Sequence, residues 1–217
     1  MLDTLTDKKN DGVITIIDYS AGNLTSVRRA LVSLGIACRV TGDAGEIAAA
    51  ERVIFPGVGN AKSAMESLNS NGVADALRTA IRRGVPVLGI CLGMQIMMTS
   101  SDEGGANCLG IFDGGVKLLR PDDRRLKIPH MGWDSLKYVK EHALFDGIDS
   151  RSEFYFVHSY YVDPTDKSDV IALSEHGVDF PAVIGRGNVF AVQFHPEKSG
   201  AAGLKILQNF AAWNPKK

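Results

Sequence analysis

Val85-Pro86-Val87-Leu88-Gly89-Ile90-Cys91-Leu92-Gly93-Met94-Gln95-Ile96-Met97-Met98 is the stretch that decides the fold. Residues 85–90 form a continuous apolar run rich in β-branched side chains, the composition of a strand buried on both faces. Residues 92–99 read as a helix. Between them, Gly89-x-Cys91-x-Gly93 stands at a strand-to-helix turn, the context of a nucleophile elbow. A sharp turn there pushes one side chain past the end of the sheet, and small neighbours prevent a clash. The helix N-terminus favours a thiolate over a thiol. The backbone N–H of Leu92 points to where an oxyanion would form. A buried structural cysteine in a glycine-rich turn is the competing account of the same five residues.

Strand–helix alternation extends upstream. Residues 13–17, 36–40 and 53–55 have strand composition. Asn23 can cap a helix whose apolar face is Leu24, Val27, Leu31 and Leu34, with Gly35 ending it. Helical patterns follow at 61–68 and 73–83, the second closed by Gly84. Downstream the chain is richer in strands, at 115–119, 135–139, 153–162, 170–174, 182–184 and 189–194. Gly185-Arg186-Gly187-Asn188 reads as a hairpin turn. Residues 201–213 form a closing amphipathic helix with Leu204, Leu207 and Phe210 on one side. The expected fold is α/β: a mostly parallel central sheet flanked by helices, with an antiparallel extension. A short N-terminal extension (1–12) precedes a single domain (13–217).

Composition narrows the function classes. The chain has 217 residues, 45% of them apolar and 23% charged, with a net charge of −1. That is ordinary globular composition, long enough for a large core. Without a basic excess, no nucleic-acid partner is expected. The 85–98 stretch falls short of the roughly 18 continuous apolar residues that span a bilayer. The polar N-terminus lacks the apolar run of a secretory signal. Three cysteines, Cys38, Cys91 and Cys108, lie at irregular spacing, with no C-x-x-C pair and five scattered histidines. Neither a disulfide framework nor a metal site is expected, and a reducing, cytoplasmic location is.

A nucleophilic thiol needs a base, and the base needs an orienting acceptor. Phe194-His195-Pro196-Glu197 offers both. His195 ends an apolar strand, where sheet enzymes place their sites. Glu197 is two residues on, so an extended backbone would aim both side chains the same way. A strand-end histidine beside a solvated acid is the simpler alternative. It loses ground once the elbow is present. Pro56-Gly57-Val58-Gly59 follows the 53–55 strand, and its glycines let the backbone present N–H groups to an oxyanion. Gly57 and Gly59 also lower the cost of rotating the peptide of Val58. The G-V-G-N-A-K run is neither a dinucleotide fingerprint nor a P-loop.

Cys-Leu-Gly-Met-Gln (91–95) with His-Pro-Glu (195–197) resembles the class I, triad-type glutamine amidotransferases. Five further segments point to one branch. They are Asp-Tyr-Ser-Ala-Gly-Asn-Leu (18–24), Pro-Gly-Val-Gly (56–59), Pro-His-Met-Gly-Trp (129–133), Tyr-Phe-Val-His-Ser-Tyr (155–160) and Gln-Phe-His-Pro-Glu-Lys-Ser-Gly (193–200). In that order they resemble the glutaminase subunits of imidazole glycerol phosphate synthases, over about residues 13–213. The N-terminal extension and Asp134, where a neutral polar residue is expected, depart from that pattern.

The resemblance implies a flavodoxin-like sheet and a triad of Cys91, His195 and Glu197, with no cofactor. Cys91 attacks the amide of glutamine, His195 moves the protons and Glu197 orients the imidazole. Val58 and Leu92 supply the oxyanion N–H groups. Gly57, Gly59, Gln95, Ser159 and Tyr160 meet the substrate. Pro129, His130, Met131 and Trp133 form a docking loop. With Tyr155 and Lys198, this loop faces a (β/α)8-barrel cyclase partner that consumes the ammonia. His158 belongs to a substrate-binding strand, and His142 and His176 read as surface residues. A glutaminase serving another synthase and a stand-alone γ-glutamyl hydrolase are the alternatives. A papain-like peptidase lacks its C-G-[SA]-C-[WY] signature here.

Overall fold

The computed structural model describes residues 12–19, 23–123 and 125–215, so the expected extension lies almost wholly outside the described residues. In chain order the strands are β1 (Ile14–Ile17), β2 (Cys38–Thr41), β3 (Val53–Gly57), β4 (Val87–Cys91), β5 (Ser100–Ser101), β6 (Ala106–Asn107) and β7 (Gly114–Leu118). They continue with β8 (His130–Ser135), β9 (Lys137–Tyr138), β10 (Glu153–His158), β11 (Tyr160–Pro164), β12 (Val170–Glu175), β13 (Asp179–Arg186) and β14 (Val189–Val192). The helices are α1 (Leu24–Ser33), α2 (Ala44–Ala48), α3 (Ala61–Ser70), α4 (Val73–Arg82), α5 (Leu92–Gln95) and α6 (Gly200–Ala212).

The main sheet runs β2-β1-β3-β4-β14-β13-β12-β9. The first five strands are parallel, in flavodoxin order, and the last three are antiparallel. Successive residues of each central strand feed opposite cores, the period of two that a pleated strand imposes. Val53, Phe55 and Val87 pack under α3 and α4. Ile54, Leu88, Ile90, Phe190 and Val192 pack under α1 and α6. Two small sheets, β10-β8 and β11-β7-β5-β6, stand beside it.

Several sequence expectations need correction. The 92–99 helix stops after one turn at Gln95. The carbonyls of Ile96, Met97 and Met98 are taken by the N–H groups of Leu109, Gly110, Ile111 and Phe112, which leaves no helical ladder to continue. The 153–162 strand is two strands, parted at Ser159, that belong to different sheets. The expected docking loop is a strand, β8, paired to β10 with Trp133 opposite Tyr155 and His130 opposite His158. Asn23 stands at the α1 N-cap, but its backbone carbonyl rather than its side chain holds the first turn. Helix α2, capped by Asp43, went unread because it has only five residues.

Candidate active site

The elbow forms because β4 and β3 run in parallel, with Cys91 level with Gly57. Cys91 has φ 55°, the one non-glycine residue with positive φ among the described residues. That strained turn projects its side chain from the carboxyl edge of the sheet. Gly93 is required by packing, since a Cβ there would stand 2.0 Å from the Phe55 carbonyl oxygen. Gly57 is required for the same reason: a Cβ would meet the Tyr19 hydroxyl at 2.3 Å and Leu92 Cβ at 2.9 Å. Gly57 is therefore buried beneath the site and does not line its cavity.

Strand β14 pairs with β4 in parallel, which brings the segment after Val192 to the same edge as Cys91. His195 Nδ1 bonds Glu197 Oε1 at 2.9 Å, and both side chains are buried. The backbone at 196–198 is a tight 3-10 turn, not the extended chain expected. Pro196 opens that turn, which folds Glu197 back onto the ring. Ser199 fixes the turn from below. Its hydroxyl donates to the His195 carbonyl at 2.6 Å and accepts the Tyr155 N–H at 2.9 Å. With Nδ1 spent on Glu197, Nε2 faces away from the acid and is left for Cys91. Burial opposes a charged imidazole, but Cys91 and Glu197 outweigh it and push His195 up to about 10.

A cavity of about 340 Å³ opens above this edge. Of the expected residues, Val58, Gly59, Cys91, Leu92, Gln95, Pro129, Ser159, Tyr160, His195 and Lys198 line it. Glu103, Val157 and His158 line it too. Glu103 went unread: its carboxylate accepts the Ala61 N–H at 2.8 Å, tying the Gly59–Ala61 segment to the cavity wall. A Gly104-Gly105 pair beside an acid carries no residue pattern that reports this. Gln193 also went unread as a site residue. It is fully buried, and its amide lies 3.6 Å from the Cys91 sulfur.

The expected partner face divides in two. Met131 (62% exposed) and Trp133 (52%) project outward from β8. Trp133 meets the Tyr155 ring edge-on at 6.0 Å, and Lys198 Nζ lies 5.7 Å from the same ring. His130 does not join them. It is buried, stacked on Phe156 and His176, with Nδ1 3.1 Å from His158 Nε2. Alternation along β8 turns it inward while Met131 and Trp133 face out. Burial lowers His130 to about 4 and His158 to about 3, so both are neutral near pH 7. His176 and His142 are half-buried ring-stacking residues rather than surface ones. Among the described residues, no cluster of His, Cys, Asp and Glu is arranged to hold a metal ion. No described helix is long and apolar enough to cross a membrane.

A thiol on a strained elbow, facing the same cavity as a carboxylate-held imidazole, defines the class: a cysteine-dependent amidotransferase fold. The family description "Glutamine amidotransferase class-I" matches residues 15–213. The chain is 49% identical over 203 residues to "Imidazole glycerol phosphate synthase subunit HisH" of Desulfovibrio desulfuricans, covering 91% of this chain and 93% of that one. It is 48% identical over 198 residues to the subunit of the same name from Moorella thermoacetica, with the same coverage. Solved structures share the fold at lower identity. One is a glutamine amidotransferase (TM-score 0.70, 18% identity, 92% of this chain and 99% of that one). Another is PurLQS from Thermotoga maritima (TM-score 0.68, 21% identity, 91% and 96%). The chain belongs to the class I glutamine amidotransferases and, within them, to the family of the imidazole glycerol phosphate synthase subunit HisH.

Proposed function

We propose that this chain hydrolyses glutamine to glutamate and ammonia, and that the ammonia feeds a cyclase partner in the synthesis of imidazole glycerol phosphate for histidine biosynthesis. The observation that carries this is the pairing of Cys91 on its strained elbow with His195, whose Nδ1 is held by Glu197 at 2.9 Å. Cys91 and His195 line one cavity, where the imidazole can take the thiol proton and the sulfur attacks as thiolate. Cys91 Sγ attacks the side-chain carbonyl carbon of glutamine. The oxyanion is met by the N–H groups of Leu92 and Val58, each such donor contributing on the order of 100–1000-fold in rate. His195 gives its proton to the departing amine, and the C–N bond breaks to release ammonia. Water, deprotonated by His195, then cleaves the thioester and regenerates the thiolate–imidazolium pair. Glu197 holds the ring through Nδ1 at 2.9 Å and transfers no proton itself.

Substrate polarity follows from the hydrogen bonds. Gln95 Nε2 donates to the Tyr160 carbonyl at 2.8 Å and to Gln193 Oε1 at 3.0 Å. Both its N–H groups are spent, so only its oxygen remains to receive the substrate's α-ammonium, beside the carboxylate of Glu103. The α-carboxylate is left to backbone N–H groups at Gly59, Ser159 and Tyr160. The exposed Met131–Trp133 face, with Tyr155 and Lys198, docks the (β/α)8-barrel partner so that ammonia passes inward before water protonates it. Partner docking turns the Val58 N–H into the cavity, so hydrolysis by the lone subunit is slow.

Cys91→Ala abolishes glutamine hydrolysis. A glutamine-analogue diazo-ketone labels Cys91 and spares Cys38 and Cys108. Hydrolysis surviving in the alanine variant, or equal labelling of all three cysteines, overturns the reading.

A further inference from the structure

Three hydrogen bonds run from the nucleophile to a single backbone carbonyl, and that carbonyl fixes their direction. The Tyr160 oxygen can only accept. The Gln95 amide atom 2.8 Å from it must therefore be the nitrogen. The same nitrogen lies 3.0 Å from the Gln193 side chain, which must offer its oxygen there. The remaining Gln193 amide atom is then a nitrogen, and its N–H points at Cys91 Sγ, 3.6 Å away. From the other side His158 Nδ1 lies 2.9 Å from the Tyr160 oxygen and donates to it, so the carbonyl is held from both flanks. Gln193 itself has no exposure to solvent, and its backbone N–H is anchored to the Ala182 carbonyl at 2.8 Å. An apolar side chain of equal length would fill the same space without the cost of burying an amide. The amide is used for its polarity.

We propose that Gln193 is a positioning residue. It donates to the Cys91 sulfur while accepting from Gln95, and so links the poise of the nucleophile to the seating of the group that reads the substrate. The proposal rests on Cys91 being the nucleophile. A donor to sulfur is worth most when the sulfur is anionic. Losing it slows thiolate chemistry and moves its pH profile to the alkaline side. Losing the acceptor arm frees Gln95 and weakens glutamine binding. Two substitutions separate the arms. As the carboxylate, Gln193→Glu keeps an oxygen for Gln95 and has no hydrogen for the sulfur, whereas its protonated form could donate an O–H in place of the amide. Gln193→Met keeps the volume and loses both.

The test is alkylation of the full-length chain by iodoacetamide across pH 5.5–9, with peptide mapping of each cysteine, together with kcat and KM for glutamine. Cys108, which burial pushes up to about 11, and Cys38, which burial also raises, serve as internal references. Both variants are expected to alkylate Cys91 about tenfold more slowly near pH 7, with the profile displaced by about one pH unit. Gln193→Glu keeps KM within about twofold, whereas Gln193→Met raises it several-fold. Circular dichroism establishes folding, and if the buried acid prevents it in Gln193→Glu, the methionine variant decides. A folded Gln193→Met variant whose Cys91 alkylates at the wild-type rate with an unmoved pH profile overturns the proposal and leaves the nucleophile assignment standing. Wild-type Cys91 reacting no faster than Cys38 and Cys108 overturns the nucleophile assignment, and the proposal with it.

Discussion

Replacing His142 with phenylalanine is expected to invert the order of stability of variant and wild type between neutral and acid pH. The His142 ring packs on Phe190 with centroids 4.6 Å apart and meets Trp213 at 5.3 Å. Its Nδ1 accepts the Leu144 N–H at 3.2 Å and so caps the turn at Ala143–Phe145. That bond requires a bare lone pair. Burial, helped by the charge of Lys140, lowers the imidazole from 6.5 to about 4. Between those two values the unfolded chain holds the extra proton and the folded chain does not. Stability therefore rises with pH across the window, and is lost as pH falls from about 6.5 toward 4. At pH 5 the loss from this one site is about 1–1.5 kcal/mol, allowing for partial exposure. Phenylalanine keeps the stack, has no proton to bind, and forfeits the cap at a cost of about 1 kcal/mol at any pH. The variant should start about 1 kcal/mol below wild type at pH 7.5 and end level with it or above it at pH 5. Urea unfolding at four pH values between these limits measures the gap, and groups common to both proteins cancel in the difference. A gap that stays constant across the range would refute the reasoning.

Three further outcomes are expected. Glu197→Gln should lower kcat by about 100–10,000-fold while Cys91 remains labelled by the diazo-ketone, since the acid orients the base and transfers no proton. Gly203→Ala, on α6 far along the chain from the elbow, places a Cβ 2.0 Å from the Pro196 carbonyl oxygen. It should cost about 1–3 kcal/mol in urea unfolding and depress kcat by displacing the turn that carries Glu197. Trp133→Ala removes a half-exposed ring from the β8 face. It should weaken stimulation by the proposed barrel partner, read as glutamine turnover in the mixture, without changing diazo-ketone labelling in the lone subunit.

The parallel core was legible because burial on both faces writes itself into composition. Residues 14–17, 53–57 and 87–91 are uniformly buried, and their apolar runs stand out from any neighbour. Helices α3 and α4 were legible from their apolar spacing. Strand β8 was not. Its proline and glycine neighbours read as loop, and its outward positions hold Met131 and Trp133, so the usual pattern of apolar-in and polar-out is reversed. The break at Ser159 was hidden for another reason. No glycine, proline, asparagine or aspartate marks it, because each half is held by a different sheet.

The site divides along the same line. Cys91 and the His195–Glu197 pair were readable because an elbow and a two-residue offset are local facts. The route to the geometry differed: a 3-10 turn, not an extended strand, brings the acid to the base. Gln193, Glu103 and His158 act through contacts 98, 42 and 28 residues distant in sequence. Two of the chains of hydrogen bonds meet at the Tyr160 carbonyl, an atom every residue possesses and no letter of the sequence announces. That oxygen accepts from Gln95 on one side and His158 on the other, and so sets which end of each amide and which nitrogen of each ring faces the cavity. The polarity of the site is thus imposed by the backbone of β11 at its first residue, and β11 takes that position from its pairing with β7, where Tyr160 stands opposite Leu118. A substitution that slips this register would take the Tyr160 carbonyl from Gln95 and so remove the acceptor that orients Gln95 and, through it, Gln193, with Cys91, His195 and Glu197 unchanged in the sequence.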